Sequence, residues 1–320
     1  MPLFEMPLSE LQVYAGRNPR PDGFDRYWEM ALAEMRATDA DVELRPHPFE
    51  ARFAECFDLF FTGVGGARVY AKYVRPHRAR SSPGLLMFHG YTVSSPDWTE
   101  LLTYAANGFC VAALDCRGQG GRSQDVGGVA GTTHFGHIVR GLEDRPERLL
   151  YRQIFLDCAQ LAEIVMGFDE VDPDRLAATG ESQGGGLTLA CAALVPGVRR
   201  AAARYPFLCD YQRAWEMDLP GSAYEELGAF FRRFDPRHER EREIFTRLGH
   251  IDVQHLAPRI RAEVLMIVGL RDMICPPSTQ FAAYNKIRSP KRMVLYPDHA
   301  HEIRLPGSFD MMFEFLAELC

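Results

Sequence analysis

Six short apolar runs dominate the chain between positions 84 and 296: Gly84–Phe88, Phe109–Leu114, Arg175–Thr179, Ala201–Tyr205, Val264–Val268 and Arg292–Tyr296. A strand with one wet face alternates apolar and polar residues, so unbroken runs of this length suit strands buried on both faces of a parallel sheet. Helical spacing fills the gaps between them. After Leu149, the residues Ile154, Cys158, Leu161 and Val165 are placed to pack inward, with Leu149, Gln153, Leu156, Gln160 and Glu163 placed toward solvent. Gln183–Leu194 and Ser278–Ile287 are further helices. The last helix, Ser308–Leu319, carries Phe309, Met312, Phe313 and Leu316 as its apolar stripe. Strand–helix alternation of this kind implies an α/β protein with a mostly parallel, doubly wound sheet.

Three regions stand outside this rhythm. The first fifty residues are rich in Pro, Arg and acidic side chains, with one helical stretch at Gly23–Thr38, and are expected to form a surface extension. Cys56–Val64 and Arg68–Val74, separated by Gly65-Gly66, predict a hairpin. From Asp210 to His255 the chain is aromatic and highly charged, and it is expected to form helices inserted between two strands that cap the sheet edge. Its charge run Arg237–Glu243 suits a solvated helix face. The reading is of one domain over residues 1–320.

Composition narrows the function. The 320 residues carry 36 Lys and Arg against 43 Asp and Glu, a net charge of −7, which lacks the basic footprint of a general nucleic-acid binder. No apolar stretch reaches the length of about 20 residues that a membrane span needs. The start, Met1 to Met6, has no basic and apolar leader pattern, so a cytoplasmic location is expected. The eight cysteines form no Cys-x-x-Cys pair, and several lie inside apolar runs, where a reduced thiol acts as a small hydrophobe.

The chemistry concentrates at Thr179-Gly180-Glu181-Ser182-Gln183-Gly184-Gly185-Gly186. Gly-x-Ser-x-Gly directly after a strand and directly before a helix is the setting of a nucleophile elbow. A serine held in a tight strand-to-helix turn leaves no room for Cβ atoms two residues before and after it. The helix that follows aims its N-terminal amides at the site, where they favour a developing oxyanion. Serine needs a base, and this fold type supplies Ser, then Asp or Glu, then His in chain order. Asp272 follows the strand Glu263–Gly269, with Asp252 and Asp298 as weaker rivals. His299 and His301 both follow the last strand. That pair also has the spacing of a metal site but lacks a third ligand, and nothing in the sequence demands a cofactor. The backbone N–H groups of Gln183 and Tyr91, the latter in the loop after Gly84–Phe88, are the oxyanion donors expected from this layout. Asp115-Cys116-Arg117-Gly118-Gln119-Gly120 reads as a buried polar brace, and His89 as a loop-shaping residue. Tyr205 and Pro206 are placed to wall a short acyl pocket.

His89-Gly90-Tyr91, Arg117-Gly118-Gln119, Gly180-x-Ser182-Gln183-Gly184-Gly185-Gly186, Gly269-Leu270-x-Asp272, Cys275-Pro276-Pro277-Ser278-Thr279, Phe281-Ala282-Ala283-Tyr284-Asn285 and His301-Glu302 together resemble carbohydrate esterase family seven, the acetyl xylan esterases and cephalosporin C deacetylases. The resemblance implies an α/β-hydrolase fold with an N-terminal extension and places the base immediately before Glu, which selects His301. It assigns Ser182, Asp272 and His301 as the catalytic triad and an oxyanion amide to Tyr91. It further implies a homohexamer acting on a small acetylated sugar or antibiotic; that no metal, cofactor, nucleic-acid or membrane partner is expected follows from the composition and motifs above. Relatives often carry Gly before the nucleophile; here Glu181 stands there and is expected to pair with a cation such as Arg117. Two other readings share these motifs, a serine peptidase of prolyl oligopeptidase type and a catalytically dead binding protein.

Overall fold

The computed structural model describes residues 5–126 and 136–320; residues 1–4, on which part of the leader reading rests, and 127–135 lie outside the described residues. In chain order the elements are α1 (Leu8–Leu11), α2 (Phe24–Ala37), β1 (Glu43–Pro46), β2 (Ala54–Thr62), β3 (Arg68–Pro76), β4 (Ser82–Phe88), α3 (Trp98–Ala105), β5 (Cys110–Leu114), α4 (Leu150–Met166), β6 (Val171–Glu181) and α5 (Gln183–Leu194). They continue with β7 (Val198–Arg204), α6 (Tyr211–Met217), α7 (Glu225–Phe234), α8 (Glu241–Leu248), α9 (Val253–Leu256), β8 (Glu263–Gly269), α10 (Pro277–Lys286), β9 (Lys291–Tyr296) and α11 (Ser308–Ala317).

Among the described residues the strands form one nine-stranded sheet in the order β1-β2-β3-β5-β4-β6-β7-β8-β9. The six apolar runs are its parallel part, β5-β4-β6-β7-β8-β9, and the expected hairpin supplies β2 and β3 antiparallel to each other. The short β1 was not marked by the sequence pattern. In β8, Val264, Met266 and Val268 enter one core and Leu265 and Ile267 the other, which is why the run never alternates. Helices cover both faces, with α3 and α11 on one and α4, α5 and α10 on the other. This is the α/β-hydrolase arrangement. Strand order reverses at β4, whose neighbours are β5 and β6, so the loops after β4 and β6 meet where doubly wound sheets gather their sites.

Three expectations are corrected. The N-terminal extension, expected at the surface, turns one face of α2 inward: Phe24, Trp28, Ala31, Leu32 and Met35 are buried. That helix lies on α4, where Trp28 stacks on Phe155 with ring centroids 5.9 Å apart. Leu149, Leu156 and Gln160 were expected to face solvent and are buried, because the extension and the neighbouring strands close over the second side of α4. In α11 the packed stripe is Met312, Phe315 and Leu316, whereas Phe309 is 47% exposed under the guanidinium of Arg204.

The inserted helices also sit elsewhere than expected. The sheet edges are β1 and β9, but α6 to α9 pack against α5 and α10 and over the carboxyl ends of the strands. Trp215, Phe231 and Phe245 meet there, with centroid distances of 5.0 Å and 5.4 Å from the tryptophan. The insert also grips the extension: Asn18 Nδ2 donates to Phe245 O at 3.1 Å and Trp28 Nε1 to His250 O at 3.0 Å. Most of the charge run from Arg237 to Glu243 is solvated.

Candidate active site

Ser182 occupies the corner between β6 and α5 with φ 53° and ψ −118°, a conformation side chains adopt only where the surroundings impose it. The surroundings do so through three backbone hydrogen bonds. Ser182 N–H donates to Arg204 O at 3.0 Å, and Ser182 O accepts from Gly186 at 3.1 Å and Phe207 at 2.9 Å. A Cβ on Gly180 would stand 2.5 Å from the Gly184 carbonyl and 2.6 Å from Phe88 O, and Gly184 presses against the same Phe88 oxygen more closely still. Neither position has room for a methyl group. Ser182 is half-buried at this corner.

Asp272, fully buried in the turn after β8, is a hub of accepted hydrogen bonds. Its Oδ1 takes the amides of Ile274 at 2.9 Å and Cys275 at 2.8 Å, and its Oδ2 takes His301 Nδ1 at 2.7 Å. With Nδ1 donating to the carboxylate, Nε2 of His301 is the nitrogen left to accept a proton. The sequence rivals lie elsewhere. Asp298 is exposed, and Asp252 is a buried helix cap that accepts from Asp210 N at 3.0 Å and Gln254 N at 3.1 Å. His299 uses its carbonyl to accept Arg271 N–H at 2.9 Å. Among the described residues the Ser182 hydroxyl has one partner within reach, Cys275 Sγ at 4.0 Å, and its hydrogen bond to His301 is not closed in this conformation. Burial and the nearby Asp272 push the Cys275 thiol well above its ordinary value, so it stays protonated.

The other side of the elbow is a network of buried amides and rings. The Gln183 side chain is fully buried; its Oε1 accepts Tyr151 Oη at 2.7 Å and Gln119 Nε2 at 2.8 Å, and its Nε2 reaches His89 O at 3.3 Å. His89 Nε2 accepts Cys116 N–H at 2.9 Å, which leaves Nδ1 to donate to Gly90 O at 2.7 Å. Burial holds that imidazole below its usual range, in keeping with this neutral tautomer. His89 is therefore a clamp on the Tyr91 loop. The expected brace after β5 is present: Asp115 accepts Ser95 N–H and Arg122 N–H, both at 2.7 Å. Arg117 makes a buried two-bond pair with Asp157, 2.5 Å and 2.6 Å.

The expectation that Glu181 pairs with a cation holds, but the cation is not Arg117. Arg117 is committed to Asp157, and Glu181 instead forms an ion pair with Arg204, its register partner across β6 and β7. Adjacent parallel strands put the two side chains level, a contact that strand pairing alone could have revealed. Tyr205 is buried with its ring against the His301 imidazole, and Pro206 is buried against Gly185 of α5. Sequence reasoning also missed Glu226. Its Oε1 accepts Ile138 N–H at 2.9 Å and lies 3.4 Å from Tyr91 Oη, so the insert reaches the candidate oxyanion loop. Nothing in the helical pattern of α7 singled that carboxyl out from its charged neighbours.

The family model for acetyl xylan esterase (AXE1) matches residues 1–319. Acetyl xylan esterase 1 from Thermoanaerobacterium sp. JW/SL YS485 is 56% identical, with a TM-score of 0.97 over 98% of this chain and 99% of that one. The acetyl xylan esterase from Paenibacillus sp. R4 is 35% identical, with a TM-score of 0.93 over the same shares. The acetyl esterase Axe7A of Xylanibacter ruminicola is 26% identical over 291 residues, 88% of this chain; the chain spans 63% of that relative's length. With a family model matched from end to end and a 56% identical structure superposing over almost all of both molecules, the chain belongs to the acetyl xylan esterase family of carboxylic ester hydrolases.

Proposed function

We propose that the protein is a serine esterase that removes O-acetyl groups from small acetylated carbohydrates, xylooligosaccharides among them, and from cephalosporin C. The observation that carries this reading is the 2.7 Å bond from His301 Nδ1 to the buried Asp272, beside a serine held at φ 53°. Ser182 attacks the acetyl carbonyl while His301 Nε2 takes its proton, and Asp272 holds the imidazole and offsets its charge. Nucleophile and base are often apart in a free enzyme and close on the substrate. The amides of Tyr91 and Gln183 receive the oxyanion, an interaction of which each donor typically contributes about 10²–10³-fold in rate. The alcohol leaves with the proton from His301, and water resolves the acetyl-enzyme by the same steps in reverse order.

Tyr205 and Pro206 bound the acyl side in this reading and favour acetyl over longer chains. The resemblance also carries a homohexamer, and sedimentation velocity tests the assembly against the 36.2 kDa monomer. The decisive experiment is Ser182→Ala. Hydrolysis of p-nitrophenyl acetate should fall by roughly 10⁶-fold with the thermal unfolding midpoint unchanged, and retained turnover would refute the assignment. Labelling by a fluorophosphonate separates this reading from a dead binding protein, and comparing an acetyl ester with a Pro-containing peptide, cleaved at an amide bond, separates it from a peptidase. Acetate release from acetylated xylobiose, acetyl xylan and cephalosporin C then ranks the substrates.

A further inference from the structure

We propose that Tyr205 is the positioning residue of the base His301, and that Glu181, at the variable place of the elbow, holds Tyr205 in that role. The inference rests on the reading of His301 as base and extends it to two side chains that the triad does not use.

The Asp272 bond fixes only one nitrogen of the imidazole. A ring held at a single point swings about that bond, and Nε2 sweeps away from the serine as it does so. Tyr205 lies against the ring's open flank, with centroids 4.1 Å apart and planes inclined at 44°. Its own backbone has φ 33°, outside the comfortable range for a residue with a side chain, and its N–H donates to Ile267 O at 2.7 Å. A strained residue pinned to the neighbouring strand at a candidate site is the pattern expected where a side chain must point in one direction.

The tyrosine hydroxyl ties this flank to the loop behind it. Tyr205 Oη lies 3.1 Å from Glu181 Oε2 and 3.2 Å from the Glu302 carbonyl oxygen, so one proton serves two acceptors. Glu302 is the residue after the base, and its side chain accepts Ala300 N–H at 2.6 Å. The peptide segment on both sides of His301 is thus gripped. Glu181 is in turn anchored by Arg204, a buried guanidinium that also donates to Ser308 Oγ at 2.9 Å. Arg204, Glu181, Tyr205 and His301 form one line of contacts, so the identity of the residue before the nucleophile bears on where the imidazole stands. The aromatic face also suits the imidazolium that forms when the base takes its proton.

The test compares Tyr205→Phe, Tyr205→Leu and Glu181→Gln by kcat and KM on p-nitrophenyl acetate, with unfolding midpoints alongside. Tyr205→Phe keeps the ring and loses the hydroxyl; Tyr205→Leu loses both. Tyr205→Leu should lower kcat about 10²-fold, the scale of a misplacement near 1 Å, with KM within about twofold. Tyr205→Phe, which removes the hydroxyl, and Glu181→Gln, which removes the charge that Arg204 anchors, should each lower kcat by a few-fold, and the double variant by less than the product of the two, because both act on one line of contacts. If Tyr205→Leu fails to fold, the Phe, Gln and double variants still decide the question. Wild-type kcat in Tyr205→Phe and Glu181→Gln, or full additivity in the double variant, overturns the proposal. If those variants are unaffected while Ser182→Ala is dead, the triad reading stands and this inference alone fails.

Discussion

The elbow at Ser182 and the insert between β7 and β8 crowd the same end of the sheet, yet different forces hold them. The elbow is a steric object. Gly180, Gly184 and the carbonyl of Phe88 approach so closely that backbone packs on backbone, and the serine's angles follow from that. The insert is held by buried carboxylates that accept backbone amides. Asp210 takes Asn18 N–H at 2.8 Å, Arg17 N–H at 3.0 Å and Tyr14 Oη at 2.8 Å; Asp235 takes the amides of Glu239 and Arg240, both at 2.9 Å. A steric corner tolerates no change of residue type at its contacts. A carboxylate clamp tolerates change in proportion to the donors it leaves unpaired.

The sharpest way to break this contrast is Gly184→Ala. A methyl group there has nowhere to go without moving β4 or α5, so the variant should lose about 3 kcal/mol or more, at the upper end for overpacking, or yield no soluble protein. Urea denaturation measures it, and a variant within 1 kcal/mol of wild type (about a fivefold change in the unfolding constant) would show that the corner has slack. Asp210→Ala comes next. It strips the partner from two amides and a hydroxyl at the junction of extension and insert, of which Asn18 is buried and the others reach water more easily. The expected loss is about 2–4 kcal/mol, with limited proteolysis cutting the first twenty residues faster than in wild type. Unchanged proteolysis would mean that the buried face of α2, not Asp210, holds the extension.

How much could be read in advance follows the same division. The six parallel strands were visible because burial on both faces leaves an unbroken apolar run. Ser182, Asp272 and His301 stood out as candidates because each falls just past a strand and obeys a fixed chain order, and the structure brings the last two together at 2.7 Å. The face assignments of α4 failed because what covers a helix is decided by distant chain: Trp28 reaches Phe155 across more than a hundred residues. Glu181 was expected to meet a cation and does, but not Arg117, the example offered, because a buried cation looks the same in sequence whichever acid it meets. Arg117 had found Asp157, and only the strand register pairs Glu181 with Arg204. Cys275, beside the serine hydroxyl, drew attention only as part of a motif, since a thiol in an apolar run carries no sign of its neighbours.

The mildest expected effect lies where the two regions touch, at Glu226. Burial pushes this carboxyl from 4.5 up to about 8, against the pull of the amides of Ile138, His137 and Val139 and of the Tyr91 hydroxyl. The folded protein therefore keeps a proton that the unfolded chain releases. Its stabilising contribution is complete below pH 4.5 and is lost as the pH rises toward 8. Between pH 6.5 and 7.5 the wild type should lose about 1 kcal/mol from this group, against a ceiling of about 1.4 kcal/mol per pH unit, or roughly 2 °C in Tm for a chain this long. Glu226→Gln keeps the acceptor oxygen and the shape but has no proton to release, so its Tm should fall across that interval by roughly 2 °C less than that of the wild type. Thermal unfolding of both proteins at the two pH values reads the difference directly. Parallel slopes would mean that Glu226 is ionised throughout, a clamp of the same kind as Asp210, and the contact between insert and Tyr91 loop would then be an ordinary carboxylate–amide bond, indifferent to pH over the working range of the site.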